Sequence, residues 1–208
     1  MANDIGKSLK GALETVGIAF SILNSGEADV DGGYLTAKTN RQVTKPFIRE
    51  FFRDAEVAYD TDVVSGDVIK FDVTDEVFVV INSTPQVVLN EIIRHLCVLY
   101  KCNVSGEIQR PSGEAEWDDD YRKGGDFEIV RRDCYALQTE ALFGHDLETD
   151  EELGRIGLQE HELYIPHSNG MQVLDRYEPF SGEYYQVETI KKRRLNQVNV
   201  VNLSENTR

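Results

Sequence analysis

Short apolar runs punctuated by turn residues, closing on a hairpin-like pair, constrain this chain more than any other feature. From Gly182 to Arg208 it reads GEYYQVETIKKRRLNQVNVVNLSENTR. Tyr184, Gln186, Glu188 and Ile190 alternate with Tyr185, Val187 and Thr189. After the basic turn Lys191-Lys192-Arg193-Arg194, a second apolar run carries Leu195, Val198, Val200, Val201 and Leu203. β-Branched and aromatic residues dominate both runs, as a half-buried antiparallel pair requires. A strand near a chain end needs a partner or it frays. The pair therefore reads as the closing element of a β-rich domain and as an inter-subunit surface.

The same grammar recurs upstream. Ser65-Gly66-Asp67 is a turn, Val68–Phe71 a strand, 72–76 a turn and Val77–Ile81 a buried strand that Asn82-Ser83-Thr84-Pro85 ends. The apolar stretch Val87–Leu99 splits near Asn90-Glu91. Leu96–Val104 reads as a strand with Leu96, Val98, Tyr100 and Cys102 on one face, and Ser105-Gly106 bends it before Glu107–Arg110. Phe127–Arg131, Glu162–Ile165 and Met171–Tyr177 are further strands. Segments 46–55 and 134–143 fit either strand or helix. Pro46 and Thr44 suit the first turn and cap of a helix, whereas the surrounding aromatics suit extended chain. Strands at this spacing favour an antiparallel β-barrel or sandwich over a βαβ sheet. Segment 66–84 also has an echo at 170–191. In each, a strand ending in an aromatic meets a partner that opens on an acidic residue and an aromatic. The echo is read either as two copies of one barrel motif or as the commonness of hairpins.

One segment has a different period. Ile5, Leu9, Leu13, Val16, Phe20 and Leu23 fall at helical spacing and predict an amphipathic helix over 3–23. Its glycines weaken it by roughly 1 kcal/mol each, so its stripe must dock, either on its own domain or on a partner. The expected layout is a docking helix over 1–24, a Gly-rich acidic linker over 25–33, and one β-barrel-type domain over 34–208. Acidic loop insertions are expected near 112–126, anchored by Trp117, and near 144–160.

Composition bears on partners. The 208 residues carry a net charge of −15, with three cysteines and 40% apolar residues. Such a surface opposes gripping nucleic acid, which needs clustered cations, and suits a solvated protein or one that lets a polyanion slide past. No signal peptide or membrane-spanning window is expected. Cys97, Cys102 and Cys134 read as reduced structural thiols, with Cys97 and Cys102 on opposite strand faces. Metal sites drawn from these thiols with His145 and His161, or from His161 and His167 with Glu160 and Glu162, match no known spacing. The acidic clusters 114–120 and 146–152 lack the calcium-loop pattern. Nucleophile-elbow, dinucleotide and phosphate-loop motifs are absent. The expectation is a protein that is not an enzyme and has no cofactor. Its candidate partner-binding residues are Ile5, Leu9, Leu13, Val16, Phe20, Trp117 and the cations Lys191, Lys192, Arg193 and Arg194. Those cations read either as a solvated turn or as a contact to an acidic subunit or passing DNA.

The stretches VTKPFIREFF, SGDVIKF, VLYKCNVSGEIQRPS and YYQVETIKKRRLNQVNVVNLSENTR resemble head–tail connector (neck) proteins of tailed bacteriophages, of the head-closure or stopper type. The resemblance spans roughly 34–208, and the N-terminal helix departs from it. It implies a non-catalytic virion protein of the neck, assembled in the host cytoplasm. Copies of the chain would form a ring between portal or adaptor and the tail or tail-terminator protein. Double-stranded DNA would pass through the lumen without specific binding, and no membrane would be involved. A phage tail or baseplate protein is the near alternative. A barrel that stacks single strands on Tyr177, Tyr184 and Tyr185 is another, and an enzyme holding a metal on Asp118–Asp120 is a third.

Overall fold

A computed structural model describes residues 2–23, 29–39, 51–112, 117–118, 121–122, 127–139 and 161–205. It opens on helix α1 (Ala2–Val16) and continues as strand. The first six strands are β1 (Ile18–Leu23), β2 (Val30–Thr39), β3 (Phe52–Ala58), β4 (Val68–Phe71), β5 (Val77–Val88) and β6 (Glu91–Lys101). Then come β7 (Val104–Pro111), the short pair β8 (Trp117–Asp118) and β9 (Tyr121–Arg122), and β10 (Phe127–Thr139). The chain closes with β11 (His161–Pro166), β12 (Arg176–Phe180), β13 (Glu183–Lys191) and β14 (Val198–Glu205).

These strands close two antiparallel barrels, not one. The first runs β1-β2-β3-β6-β5-β4 and the second β7-β10-β11-β14-β13-β12. Numbered within its own barrel, each follows the order one, two, three, six, five, four. The two share register as well as topology. The pairs Val68↔Val79 and Ile69↔Phe78 of barrel one stand where Arg176↔Gln186 and Tyr177↔Tyr185 stand in barrel two. The fifth and sixth strands share a register break at a matching place, between Val80 and Asn82 and between Val187 and Thr189, and β5–β6 has a second near its hairpin tip, between Gln86 and Val87. The first and second strands do likewise, beside Phe20 and between Arg131 and Cys134.

The turn entering the fourth strand is also repeated atom for atom. Gly66 N–H donates to Val80 O (2.8 Å) and Val80 N–H to Asp67 O (2.8 Å); Leu174 N–H donates to Val187 O (3.0 Å) and Val187 N–H to Asp175 O (2.9 Å). The Asp67 carboxylate accepts from Val64 N–H at 2.8 Å, and the Asp175 carboxylate accepts from Gln172 N–H at 2.7 Å. Gly66 and Leu174 both have positive φ, 93° and 74°. The fold is a tandem duplication, and the echo between 66–84 and 170–191 is its β4–β5 hairpin meeting its β12–β13 hairpin.

Each barrel has its own filled core. Phe20, Leu35, Ile69, Phe71, Phe78 and Leu99 fill the first; Ile108, Leu163, Ile165, Tyr177, Val187 and Leu203 are among those that fill the second. A third cluster joins the barrels. Val79 and Ile81 from β5 meet Leu137, Tyr164, Val198 and Val200 of barrel two, with Val68, Val98, Tyr100 and Cys102 at the margin. Residues 198 to 201 are buried on both faces, because Val201 points into barrel two while Val198 and Val200 point into the seam.

Several expectations change. The helix stops at Val16, where Gly17 N–H closes on Leu13 O at 2.7 Å. Residues 18–23 also carry a two-residue period, Ile18, Phe20 and Ile22, and that period wins because all three pack in barrel one. Within the expected linker, 25–28 lie outside the described residues and Val30–Gly33 belong to β2. Strand β5 does not end at Asn82. It runs through Pro85 to Val88, and its ladder to β4 stops at Val79. Beyond Val79 its outer edge needs no donor for β4, so a proline fits. The long strand 96–104 is two strands broken at Cys102-Asn103. The strand expected at 171–177 begins only at Arg176, after the repeated turn. In β13 the bulge moves Ile190 to the Val187 side, so strict alternation fails after Val187. Segment 52–55 is strand, as is 134–139. Residues 46–50, 140–143 and most of both acidic loops lie outside the described residues.

Candidate functional site

The predicted docking stripe divides. α1 packs across β2, β3 and β6 of its own barrel. Leu13 is buried and Leu9 half-buried there, Gly6 lies against the Tyr59 ring, and Lys10 Nζ pairs with Asp60 at 2.6 Å. Ile5 and Val16 face outward, Val16 with 76% exposure. Phe20, expected on this stripe, is fully buried in the core of barrel one. It is unavailable to a partner, because it lies on β1 and not on the helix.

The basic turn also divides. Glu162, on β11, is 1% exposed. Its Oε1 accepts from Lys191 Nζ at 3.1 Å and lies 3.5 Å from Arg194 Nη1, while Tyr164 Oη donates to Oε2 at 3.0 Å. A buried carboxylate without such partners would be strongly unfavourable. Lys191 and Arg194 therefore each reach the interior carboxylate while their side chains stay 41% and 45% exposed, so the run is divided between ion pairs and solvent. Lys192 and Arg193 remain exposed. The Tyr164 hydroxyl is held above its ordinary range by burial, then by the neighbouring Glu162 charge; burial likewise raises Tyr100, against a smaller opposing pull from Arg194. The two rings meet edge to face, 5.5 Å between centroids, at the seam. Both phenols stay neutral and pack at the seam, and Tyr164 also donates to Glu162.

The residues weighed for chemistry are placed apart. Cys97 lies in the core of barrel one, Cys134 in that of barrel two, and Cys102 at the seam, so Cys97 and Cys102 do face opposite sides. Burial pushes all three thiols up, Cys134 to about 12. Thiols so held are poor nucleophiles. His161 is buried with its ring edge-to-face on Tyr185 at 4.9 Å, whereas His167 Nδ1 lies 3.2 Å from Asn199 Oδ1. Among the described residues, no group of three His, Cys, Asp or Glu side chains is placed to hold a metal. Trp117 lies in β8, where only the backbone is described. Of the aromatics considered for stacking bases, Tyr177 and Tyr185 are engaged inside, and Tyr184 is half-buried on the outer face. Tyr177 is fully buried and donates to Cys134 O at 3.0 Å. Tyr185 packs on the barrel-two core. Tyr184 lies 4.6 Å beneath the Arg176 guanidinium, which also covers Phe127 at 3.7 Å.

The surface features that sequence reasoning passed over are two apolar turns. The β5–β6 hairpin turns through Leu89 and Asn90, both with positive φ, and exposes Val87, Leu89 and Ile92, Leu89 to 75%. The turn before β12 exposes Val173 and Leu174 to 51% and 57%. The available signal was chemical. Solvated turns favour Asn, Asp and Gly, and both of these carry aliphatic side chains instead. No described helix is long and apolar enough to cross a membrane. No protein-family model, curated protein or solved structure matches the chain.

Proposed function

We propose that this chain is a structural protein of a tailed-phage neck, a head-closure subunit that assembles with copies of itself into a ring between portal and tail. The observation that carries the reading is the pairing of two solidly packed barrels with exposed aliphatic turns at their surface. Interiors filled by Phe20, Phe78 and Leu99, and by Tyr177, Leu163 and Leu203, leave the outer surfaces to do the work. Exposed aliphatic clusters on otherwise polar surfaces mark protein contacts. A net charge of −15 suits a lumen through which DNA moves without adhering. Two fused barrels differ from a neck subunit built on one. In this reading the second barrel lengthens the subunit, and the seam holds both as one block.

The reading is tested by mixing the purified chain with DNA-filled, tail-less phage heads and imaging the particles by electron microscopy. Added ring density on the portal vertex, with retention of DNA, is the expected result. A chain that never joins the vertex, or that instead joins isolated tails, defeats it.

A further inference from the structure

The duplication makes one contact inside the chain a template for a contact between chains. Loop 192–197, which joins β13 to β14, sits on the turn 64–67 of barrel one. A Cβ built on Gly66 would lie 2.7 Å from Gln197 O and 2.8 Å from Gln197 Cβ, so the two backbones touch. His167 N–H also donates to Gln197 O at 2.9 Å. This contact lies at one edge of the seam, where Leu195, Val198 and Val200 meet Val68, Val79 and Ile81.

The seam is heterologous. Barrel one contributes its fourth, fifth and sixth strands; barrel two contributes its second, third and sixth. One copy of each surface lies outside the seam, but on barrel one α1 packs on those same second, third and sixth strands, so the part of the contact that can recur is the loop on the turn. Barrel one retains its own fifth–sixth hairpin tip, 85–94, the counterpart of loop 192–197. Barrel two retains its own turn, 172–175, the counterpart of 64–67 by the repeated hydrogen bonds. Both leftover elements are exposed and apolar: Val87, Leu89 and Ile92 on one, Val173 and Leu174 on the other.

We infer that the β5–β6 hairpin tip of one copy docks on the 172–175 turn of a second copy of this chain, repeating head to tail the loop-on-turn contact between its own barrels. Such a contact uses different patches on its two sides and generates a ring where the rotation closes. Its chemistry differs from the internal version in a consistent way. Position 66 is glycine and admits backbone; position 174 is leucine and offers a side chain to the aliphatic tip. The seam's apolar Val68, Val79 and Ile81 are matched in barrel two by Arg176, Gln186 and Glu188, the last by its place in the bulge. The internal seam is thus a permanent core, and the contact between copies is a smaller, wetter one made by soluble subunits. This inference rests on the duplication and supplies the self-association that the neck reading needs.

The test uses two variants of the full chain in sedimentation velocity over a range of concentrations. Val87→Glu/Leu89→Asp disables the tip, and Val173→Glu/Leu174→Asn disables the turn. Leu89 and Leu174 have positive φ, which Asp and Asn tolerate better than Leu, so both variants keep a wild-type circular dichroism spectrum and melting temperature. Wild type associates with rising concentration, and each variant alone stays monomeric. An equimolar mixture forms a one-to-one dimer and nothing larger, because one intact tip then meets one intact turn. A wild-type chain that is monomeric at every concentration overturns the inference. So do variants that still assemble, or a mixture that stays monomeric. If the dimer forms but the chain does not join phage heads, the interface stands and only the neck reading falls.

Discussion

The two barrels have one topology and matching register at the centre of most strand pairs, yet they solve their packing differently. In barrel one the largest ring near the first strand is Phe20, and it lies across Gly32 of the second strand, where a Cβ would come within 2.1 Å of Phe20 Cε2. In barrel two the position matching Phe20 is Gly106, and the ring comes from the fourth strand instead: Tyr177, whose Cζ a Cβ on Gly106 would meet at 2.8 Å. Each barrel thus seats one aromatic over one glycine, and the first strand supplies the ring in one and the glycine in the other. What is held constant is interior volume and backbone register, while the residues that supply them drift. Ile22 and Ile108, Val80 and Val187, and Leu99 and Leu203 are among the interior pairs left unchanged. The outer faces diverged in the opposite sense. The fourth-to-sixth-strand face is apolar where it meets the seam and polar where it meets water.

The largest expected effects come from the unchanged pair. Leu99 and Leu203 are 0% and 1% exposed at matching positions, so Leu99→Ala and Leu203→Ala should each cost about 2–5 kcal/mol. Urea unfolding of both variants should remain a single transition, because the seam ties the barrels together. Two separated transitions in either variant would show that the barrels unfold independently and that the seam is weaker than its burial indicates.

The exchanged aromatics come next. Gly32→Ala and Gly106→Ala each overpack a barrel, at about 1–3 kcal/mol or more. Rescue should distinguish them. The three nearest atoms to a Cβ at 32 all belong to the Phe20 ring, so Phe20→Leu in the Gly32→Ala background should recover part of the loss. At 106 the nearest is the backbone oxygen of Glu178, at 2.4 Å, and trimming Tyr177 should recover nothing. Equal rescue in both barrels, measured by denaturation of the double variants, would mean that the backbone at Gly106 yields.

Much of the architecture was legible in the amino-acid sequence, and the failures have physical causes. Val68–Phe71 and a split of Val87–Leu99 near Asn90-Glu91 follow from local pattern, and the structure has the strand and a turn at Leu89-Asn90. The helix limit was not legible from periodicity alone, because Phe20 satisfies both a four-residue step from Val16 and a two-residue step from Ile18. Which period wins depends on the core that Phe20 enters, a non-local fact. The count of barrels was hidden for a related reason. The repeat survives as register and hydrogen bonds, and a Phe-to-Gly exchange at positions 20 and 106 erases the likeness in letters. For the candidate site, Lys191 and Arg194 look solvated in sequence, since their partner Glu162 is 29 residues from Lys191 and only pairing of β11, β14 and β13 brings it near.

A smaller effect tests that buried charge. Lys191→Met removes one of two cations beside Glu162 and should cost about 1.5–3 kcal/mol, toward the lower end because the Lys191 side chain is 41% exposed. Lys192→Met, one residue away and exposed, should cost almost nothing. Equal losses in thermal denaturation would restore the whole run to the surface.

The finest comparison is between the two repeated aspartates. Asp175 is 2% exposed at its side chain, and Arg110 donates to it through Nε at 2.8 Å and Nη2 at 2.9 Å. Asp67 has the same Val64 N–H contact as its counterpart has with Gln172 N–H, but burial raises its carboxyl above the ordinary range, with the Val64 N–H opposing. Removing charge should therefore have opposite consequences. Asp175→Asn weakens a charge-assisted bidentate contact, at about 1.5–3 kcal/mol. Asp67→Asn keeps an acceptor for Val64 N–H and sheds a carboxylate that the site disfavours, so at neutral pH it should be neutral or slightly stabilising. The pH dependence follows from the sign of the shift. A carboxyl whose folded value is raised holds its proton more tightly folded than unfolded, so its contribution is fully present below the ordinary aspartate value. That contribution is lost as pH rises through the raised folded value. The Asp67→Asn chain should then gain on wild type as pH rises through that window, and the gap should stay constant above it. A gap that widens as pH falls would mean that Asp67 is stabilised as the anion and that the two aspartates serve one purpose.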